Sequence, residues 1–316
     1  MRLNNTQFLA AAMFAAMTGV VHAGSAGQKM DAVYTVPHEL DCLVKGGHVQ
    51  GATCDESGIY LSHGGGIVKI GWDGKKIVEA SAPWHLGDCF VHGGRVYSAH
   101  GYSKPRDGMR GWIAVWDATS LKLLDEKPVE TNDIDGMVVL GERIYYSVGA
   151  GHSPHGGALI GVADMSLKKI DEKRVDFGYW IHYGVQTMAT DGKSLFFGNY
   201  GAPADKGNPK RLNCTRLAPD LTVESSTRFA CSEGFGVVPK AVSKREATVF
   251  FAVHALGGNM QGWRKDPVGN PPRIRIDFYE YDNGQFRSIS KSNPEMERSP
   301  RETVAIVVAQ MSVPSL

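Results

Sequence analysis

The sequence predicts an all-β protein that folds as a single β-propeller of about five four-stranded blades. The main observation is an internal repeat, in which one pair of apolar or aromatic residues recurs five times. A polar turn such as "DESG", "HGGR" or "DGKS" precedes each pair, and a glycine-rich loop, a further strand, a turn and a short last strand follow it. A β-sandwich would not repeat this order of elements. The recurring pairs are Ile59-Tyr60, Val96-Tyr97, Ile144-Tyr145, Leu195-Phe196 and Val249-Phe250.

The repeats place the propeller within residues 48–290. The segments before and after it are expected to have different roles. Residues 24–47 contain "VYTVP" at 33–37, which can supply a strand that closes the ring. Residues 291–316 form a C-terminal tail too short for a sixth blade, and the sequence assigns it no role. The five blades begin near His48, His85, Asp133, His182 and Ser232.

The first 23 residues have the pattern of a signal peptide. Arg2 is followed by an apolar run from Phe8 to Val21, and Val21-His22-Ala23 ends in a small residue suited to cleavage. We therefore expect a secreted or periplasmic product that begins near Gly24. No later stretch is long and apolar enough to predict a membrane span.

Composition and cysteine content restrict the expected partners. The 34 basic residues nearly balance the 33 acidic ones, and no basic stripe indicates nucleic-acid binding. We expect a monomer that binds a small molecule or glycan. The five cysteines include no CxxC motif, so a thiolate zinc site is not expected. Near-neighbour spacing allows pairing of Cys42 with Cys54 and of Cys214 with Cys231, which leaves Cys89 over, but spacing does not fix the connectivity.

The repeat architecture resembles that of secreted β-propellers with YVTN-like, NHL-like or SMP-30-like repeats. The resemblance covers residues 33 to about 290 and matches no motif specific to one family. It implies the propeller fold, and function must be argued from the site because propellers carry many activities.

Histidines recur at two positions of the repeat that a propeller brings to one face. The start of the first strand and the end of the second are neighbours around the channel mouth. The first position predicts a ring of metal ligands, which are His48, His85, Asp133 and His182. The second position carries His63, His100, Asn199 and His254, and the glycine loop of blade three adds His152 and His155.

Imidazole and carboxylate are the usual ligands of zinc, manganese, iron or copper where thiolates are absent. The first ring therefore predicts a divalent transition-metal site. Neutral histidines also act as general bases and acids, so His63, His100 and His254, with Tyr102, are the candidate catalytic residues. Asp88 and Asp135 are candidates to orient a histidine. Simple satisfaction of backbone groups by these polar side chains is the competing interpretation.

Long loops on the same face supply candidate substrate-binding residues. Arginine pairs with carboxylate or sulfate, and aromatic rings stack on sugars. The candidates are Arg106, Arg110, Asn199, Tyr200, Arg211, Trp263 and Arg264.

Two classes of function fit this pattern. The first is an exported enzyme with a histidine-rich, metal-assisted site that acts on an anionic or sugar-like substrate as a lyase or hydrolase. Redox chemistry at a four-histidine iron site is a further option, although Asp133 departs from that ligand set. The second class is a non-catalytic propeller that binds glycan, protein or metal. The sequence has no GxSxG elbow, Walker loop, GxGxxG fingerprint or HExxH motif.

Overall fold

The structure is a computed structural model that describes most of the predicted propeller. The described residues are 34–35, 49–83, 85–149, 157–181, 183–200, 208, 210–229, 231–256 and 273–289. Within these ranges, the side chains of residues 34–35, 102–104, 255–256, 273 and 275 lie outside the description. So do His48, His182, Trp263 and Arg264, and the predicted signal peptide and C-terminal tail.

The described chain forms five antiparallel sheets, and each contains four consecutive strands, as the repeat predicts. Blade one has β2 (Val49–Asp55), β3 (Gly58–His63), β4 (Gly66–Ile70) and β5 (Lys76–Ser81). Blade two has β6 (His85–His92), β7 (Arg95–Arg106), β8 (Met109–Asp117) and β9 (Leu123–Glu130). Blade three has β10 (Ile134–Leu140), β11 (Arg143–Val148), β12 (Gly157–Asp164) and β13 (Lys169–Asp176). Blade four has β14 (Thr187–Thr190), β15 (Leu195–Gly198), β16 (Cys214–Leu217) and β17 (Val223–Thr227). Blade five has β18 (Phe235–Val237), β19 (Thr248–Leu256), β20 (Arg273–Asp282) and β21 (Gln285–Ser288), with the short helix α1 (Lys240–Ser243) after β18.

The five sheets are arranged as a closed ring. The first strand of each blade contacts the first strand of the next, and β18 of blade five contacts β2 of blade one. The five recurring sequence pairs all lie in the second strands, which are β3, β7, β11, β15 and β19. The predicted five-bladed propeller is therefore confirmed.

A strand from before the first blade adds to the last one. Strand β1 (Tyr34–Thr35) pairs antiparallel with β20, with Tyr34 opposite Ile276 and Thr35 opposite Arg275. Strand β21 pairs with the other end of β20, from Tyr279 to Asp282. The outer edge of blade five thus combines chain from both ends of the propeller, and this pairing ties the first blade to the last.

The core is divided into five apolar layers, each between two neighbouring blades. Alternation along the second strands explains the division, because successive side chains point to opposite faces of a blade. In β3, Ile59 and Leu61 pack with blade five, whereas Tyr60 packs with blade two. Neighbouring blades cover both faces of a second strand. Consecutive residues there, such as the recurring pairs, are therefore both apolar.

Glycines let the first strands approach one another closely. In blades one to three the pairing of the first and second strands is irregular near its start, at Gly51, Gly87 and Gly136. A Cβ on Gly51 would lie 2.1 Å from Asp88 Oδ1, and one on Gly87 would lie 2.7 Å from Asp135 Oδ1. Each of these carboxylates therefore occupies space that a glycine of the preceding blade leaves open.

The starts of the first strands and the ends of the second strands form one face of the ring, which we call the mouth face. Their pairing shows this directly, since Val49 lies opposite His63 and Leu86 opposite His100. Among the described residues, no helix is long and apolar enough to cross a membrane.

Candidate active site at the channel mouth

Polar side chains from the first-strand starts of blades one to three meet at the mouth face. His85 begins β6 and is exposed at the rim, where its Nε2 lies 2.9 Å from Gln50 Nε2 of β2. Partial burial of the imidazole lowers the pKa of His85, and the negative charge of Asp133 opposes that shift. His85 and Asp133, two predicted metal ligands, therefore lie close enough to interact.

Asp133 is held in place from two sides. Its backbone carbonyl accepts a hydrogen bond of 2.6 Å from the Gly149 N–H. Its carboxylate faces the predicted substrate-binding residue Arg110, with Nε 3.1 Å from Oδ1 and Nη2 3.4 Å from Oδ2. Both side chains keep about two fifths of their surface exposed, at 40% and 38%. The ion pair fixes the orientation of the Asp133 carboxylate and leaves part of it exposed to a ligand.

Asp135 is the titratable group best suited to proton transfer near neutral pH. It lies two residues after Asp133 and is half-buried in β10. Burial raises the pKa of Asp135 to about 7, the Asp133 charge adds to the rise, and a hydrogen bond with Gln186 opposes it. The Gln186 amide is itself fixed, because its Nε2 donates to the Tyr183 carbonyl at 2.6 Å. Asp135 therefore holds a proton near neutral pH beside a second carboxyl group that is paired with Arg110, an arrangement suited to acid–base chemistry.

Aromatic side chains extend this group toward blades four and five. The rings of Tyr183 and Tyr200 meet edge to face, 6.1 Å apart between centroids. Burial raises the pKa of Tyr200, and the charges of Asp135 and Glu233 add to the rise. Tyr200 is thus a neutral phenol within electrostatic range of the carboxylates, and the Tyr183 ring is exposed at 45%. Such a ring can stack on an apolar sugar face.

Asp88 has a different role from the one that the sequence suggested. Its carboxylate accepts hydrogen bonds from the backbone N–H groups of Cys89 at 2.9 Å, Met137 at 3.3 Å and Met188 at 2.6 Å. It is fully buried and links three first strands across the ring. Among its described hydrogen-bond partners there is no histidine, so Asp88 joins blades and does not orient an imidazole.

The predicted catalytic histidines do not meet at one point of the mouth face in the described structure, and each has its own neighbours. His63, with no exposed surface, accepts the Gly65 N–H at Nδ1 and faces the layer shared with blade five. His254 lies with Nε2 3.3 Å from Oδ2 of the buried Asp277. Asn199, a predicted substrate-binding residue, is buried and donates to the Tyr179 hydroxyl at 3.2 Å. These side chains lie at the predicted strand ends, but each meets a different set of neighbours.

His100 lies in a charged and aromatic group within blade two. Its buried ring stacks near Trp112, 6.4 Å between centroids, and its Nε2 is 3.3 Å from Glu126 Oε1. Arg106 reaches the same carboxylate at 3.5 Å and lies over the Trp112 ring at 4.7 Å. Burial lowers the pKa of His100 to about 3, with help from the Arg106 charge, and burial lowers that of His63 to about 4. Both rings are therefore neutral at pH 7.

Other predicted site residues are placed only in part. Arg211 is half-buried in the connection before β16, with a left-handed φ of 52° and its N–H bonded to the Asn208 carbonyl at 2.9 Å. Nothing described brings Arg211 to the carboxylates. Tyr102 has a described backbone in β7, and its side chain lies outside the description. Within the described residues, no three His, Cys, Asp or Glu side chains form a group that could hold a metal ion.

Sequence reasoning did not select three residues of this group, Gln50, Gln186 and Glu233. All three stand within four residues of a blade start that the repeat alignment identified. Histidine and aspartate recur at the blade starts and indicate a metal site, whereas a single glutamine or glutamate near a blade start gives no such indication. A census of every polar residue at the five blade starts would have found them.

Comparison with known proteins shows the fold and no family. No protein-family model matches the chain, and no curated protein matches it in sequence. The Xanthomonas citri GH43_1 enzyme, solved in complex with xylose, has 12% identity and a TM-score of 0.50, covering 82% of this chain and 94% of its own. Myxococcus xanthus glutaminyl cyclase has 10% identity and a TM-score of 0.49, covering 75% and 92%. The Pan2 WD40 domain of Neurospora crassa has 8% identity and a TM-score of 0.39, covering 75% and 76%.

The chain is thus a five-bladed β-propeller, the class that its repeats resemble. The Xanthomonas citri enzyme, at 12% identity, supports the fold alone.

Proposed function

We propose that the protein is an enzyme whose active site is the channel mouth, where Asp135 and Asp133 act as an acid–base pair. The observation that carries this proposal is the difference between two neighbouring carboxyl groups. Asp133 forms an ion pair with Arg110, whereas burial raises the pKa of Asp135 to about 7, so that Asp135 is half protonated at neutral pH. Proton transfer works best when the pKa of the catalytic group lies near the working pH.

The surrounding side chains favour hydrolysis of a sugar-like or anionic substrate. A protonated Asp135 can donate to a leaving-group oxygen while the Asp133 carboxylate accepts a proton from water. Arg110 can bind a substrate carboxylate or sulfate, and Tyr183 offers an exposed ring for a sugar face. A lyase would use the same groups differently. Arg110 would neutralise the carboxylate of a uronate, and a neutral base would remove the proton from the carbon next to that carboxylate.

A metal ion at the mouth is part of the proposal. His85 and Asp133 would be two of its ligands, and His48 and His182, outside the described residues, would be the other two. A bound zinc, manganese, iron or copper ion would supply Lewis-acid chemistry at the mouth. We also propose that the chain is exported, so that the substrate is met outside the cytoplasm.

The test uses the full-length purified protein, assayed on neutral and anionic glycans with total metal measured in parallel. New reducing ends without a new carbon–carbon double bond indicate hydrolysis, and both together indicate a lyase. We expect Asp135→Asn to lose most of the turnover with no fall in melting temperature. Glu142→Gln, in the exposed turn at the other end of the same strand, is the matched control and should be silent.

Two results would count against the proposal. Full turnover in Asp135→Asn would remove Asp135 from the chemistry. Glycan binding without turnover, lost in Arg110→Gln but kept in Asp135→Asn, would instead identify a non-catalytic binding propeller. Loss of stoichiometric metal in His85→Ala but not in His92→Ala supports the metal site, and metal retained in both would oppose it.

A further inference from the structure

We infer that Cys214 and Cys231 form a disulfide bond that joins the third strand of blade four to the segment entering blade five. The two residues belong to the same apolar layer between these blades, and neither exposes more than 1% of its surface. The Cys231 thiol lies within hydrogen-bonding reach of the Cys214 thiol. It also points at the Asn213 carbonyl, 3.6 Å away, one residue before Cys214.

The local structure holds Cys231 against β16. Gly198 lies opposite Cys214 in the adjacent strand, and a Cβ there would come within 2.8 Å of Cys231 Sγ. Glycine at this position therefore makes room for the Cys231 thiol to reach Cys214. The Thr187 hydroxyl donates to the Cys231 carbonyl, which fixes the backbone from the other side.

The other cysteines in the described part of the chain are directed elsewhere. Cys54 donates to the Val237 carbonyl at 3.1 Å, between blades one and five. Cys89 lies 4.0 Å from the Tyr60 carbonyl, between blades one and two. All four described cysteines are free thiols in the structure, and the proximity of Cys231 to Cys214 favours one of the pairings that sequence spacing left open.

The bond forms by thiol–disulfide exchange with a disulfide oxidant. One thiolate attacks the oxidant and releases one thiol, and the second thiolate then attacks the mixed disulfide and releases the other. The cysteine pair loses two protons and two electrons, and the oxidant disulfide gains them. Because both sulfurs are buried in the folded chain, exchange must occur before this layer closes.

A disulfide here would hold the entry to blade five, which contains Glu233 and the start of β18. It would close a loop of 17 residues, and a cross-link of this length restricts the unfolded chain substantially. We expect reduction to lower the melting temperature by roughly 5 °C.

The experiment refolds the full-length protein in a glutathione redox buffer, blocks free thiols under denaturing conditions without reductant, and maps peptides by mass spectrometry. The expected result is a linked peptide pair containing Cys214 and Cys231, with Cys54 and Cys89 alkylated. Alkylation of both Cys214 and Cys231, or a linkage of either to another cysteine, would overturn the inference.

Variants give a second readout that does not depend on mapping. Cys214→Ser, Cys231→Ser and the double variant should share one lowered melting temperature, which dithiothreitol does not lower further. Wild type and the control Cys89→Ala should both lose stability by a similar amount when they are unfolded, reduced and refolded in dithiothreitol. A wild-type melting temperature that this treatment leaves unchanged would contradict the bond.

Discussion

Asp88 and Asp135 stand on neighbouring first strands of the propeller, yet their surroundings give them different uses. Both lie against a glycine of the preceding blade, and burial raises the pKa of both carboxyl groups. Asp88 is enclosed and accepts three backbone hydrogen bonds from three strands. Asp135 lies nearer the mouth, half-buried, beside a second carboxylate and an amide.

The difference shows how a propeller separates stability from chemistry over a short distance. When a buried carboxylate that accepts hydrogen bonds only from backbone amides is removed, those N–H groups stay buried without an acceptor. A carboxylate whose partner is another side chain can exchange its proton while the backbone stays in place. We therefore expect Asp88 to matter for folding and Asp135 to matter for turnover.

The largest expected effect concerns Asp88. Asp88→Ala removes the acceptor from three buried N–H groups and should lower the free energy of unfolding by roughly 3 kcal/mol or more. Asp135→Ala should not lower it comparably, because the described hydrogen-bond partner of its carboxyl group is the Gln186 side chain and not a backbone N–H. Urea unfolding of both variants at pH 6 measures this, and equal losses would show that the two residues do not differ as proposed.

The next effect concerns the glycines that make room for these carboxylates. Gly87→Ala would place a Cβ 2.7 Å from the Asp135 carbonyl oxygen and 3.0 Å from its Cα, and backbone cannot move aside cheaply. We expect a destabilisation of roughly 2 kcal/mol. Gly101→Ala is the control, because its Cβ would meet only the Asp133 side chain at 3.3 Å or more. Thermal melts of the two variants should differ clearly, and matching melts would contradict the close approach.

A smaller effect concerns pH. The folded-state pKa of Asp135, about 7, exceeds the ordinary value of 3.8, so the folded state binds this proton more tightly than the unfolded state. The resulting stability is complete below about pH 4 and is lost as pH rises through 7. Asp135→Asn should remove this part of the decline, which urea unfolding from pH 4 to 8 measures. An identical pH dependence in the variant would count against the raised pKa.

The smallest effect concerns the Asp133 charge. Asp133 opposes ionisation of Asp135 and favours protonation of His85. Asp133→Asn should therefore lower both pKa values, by less than the shift that burial causes in Asp135. Nuclear magnetic resonance titration follows both groups, and a rise in either value would contradict the electrostatic link.

The fold could be predicted because a propeller repeats its local pattern. The pairs from Ile59-Tyr60 to Val249-Phe250 are needed in every second strand, since both faces of a blade are covered, and this requirement is visible in the sequence. The closing strand at residues 33–37 was also suggested by its composition, and Tyr34–Thr35 pairs with β20.

The site was predicted less well because strand position does not determine what a side chain meets. His63, His100 and His254 lie at the predicted strand ends, but each contacts its own neighbours, which are the Gly65 N–H for His63, Glu126 for His100 and Asp277 for His254. Asp88 and Asp135 look equivalent in sequence, and only the surrounding amides and the extent of burial distinguish them. The surrounding amides and the extent of burial depend on the bulges in the first strands. No local sequence pattern predicts this irregular pairing.

The most direct test of the difference between the two carboxylates is a carbon-13 titration of the aspartate side chains in the labelled, full-length protein. Comparison with Asp135→Asn and Asp88→Asn assigns the two resonances. The account predicts that the Asp135 carboxyl titrates with a pKa of about 7 in the folded protein, while the Asp88 signal does not titrate at the ordinary aspartate value. An Asp135 pKa near 4 would contradict the central claim, because Asp135 could then not donate a proton at neutral pH.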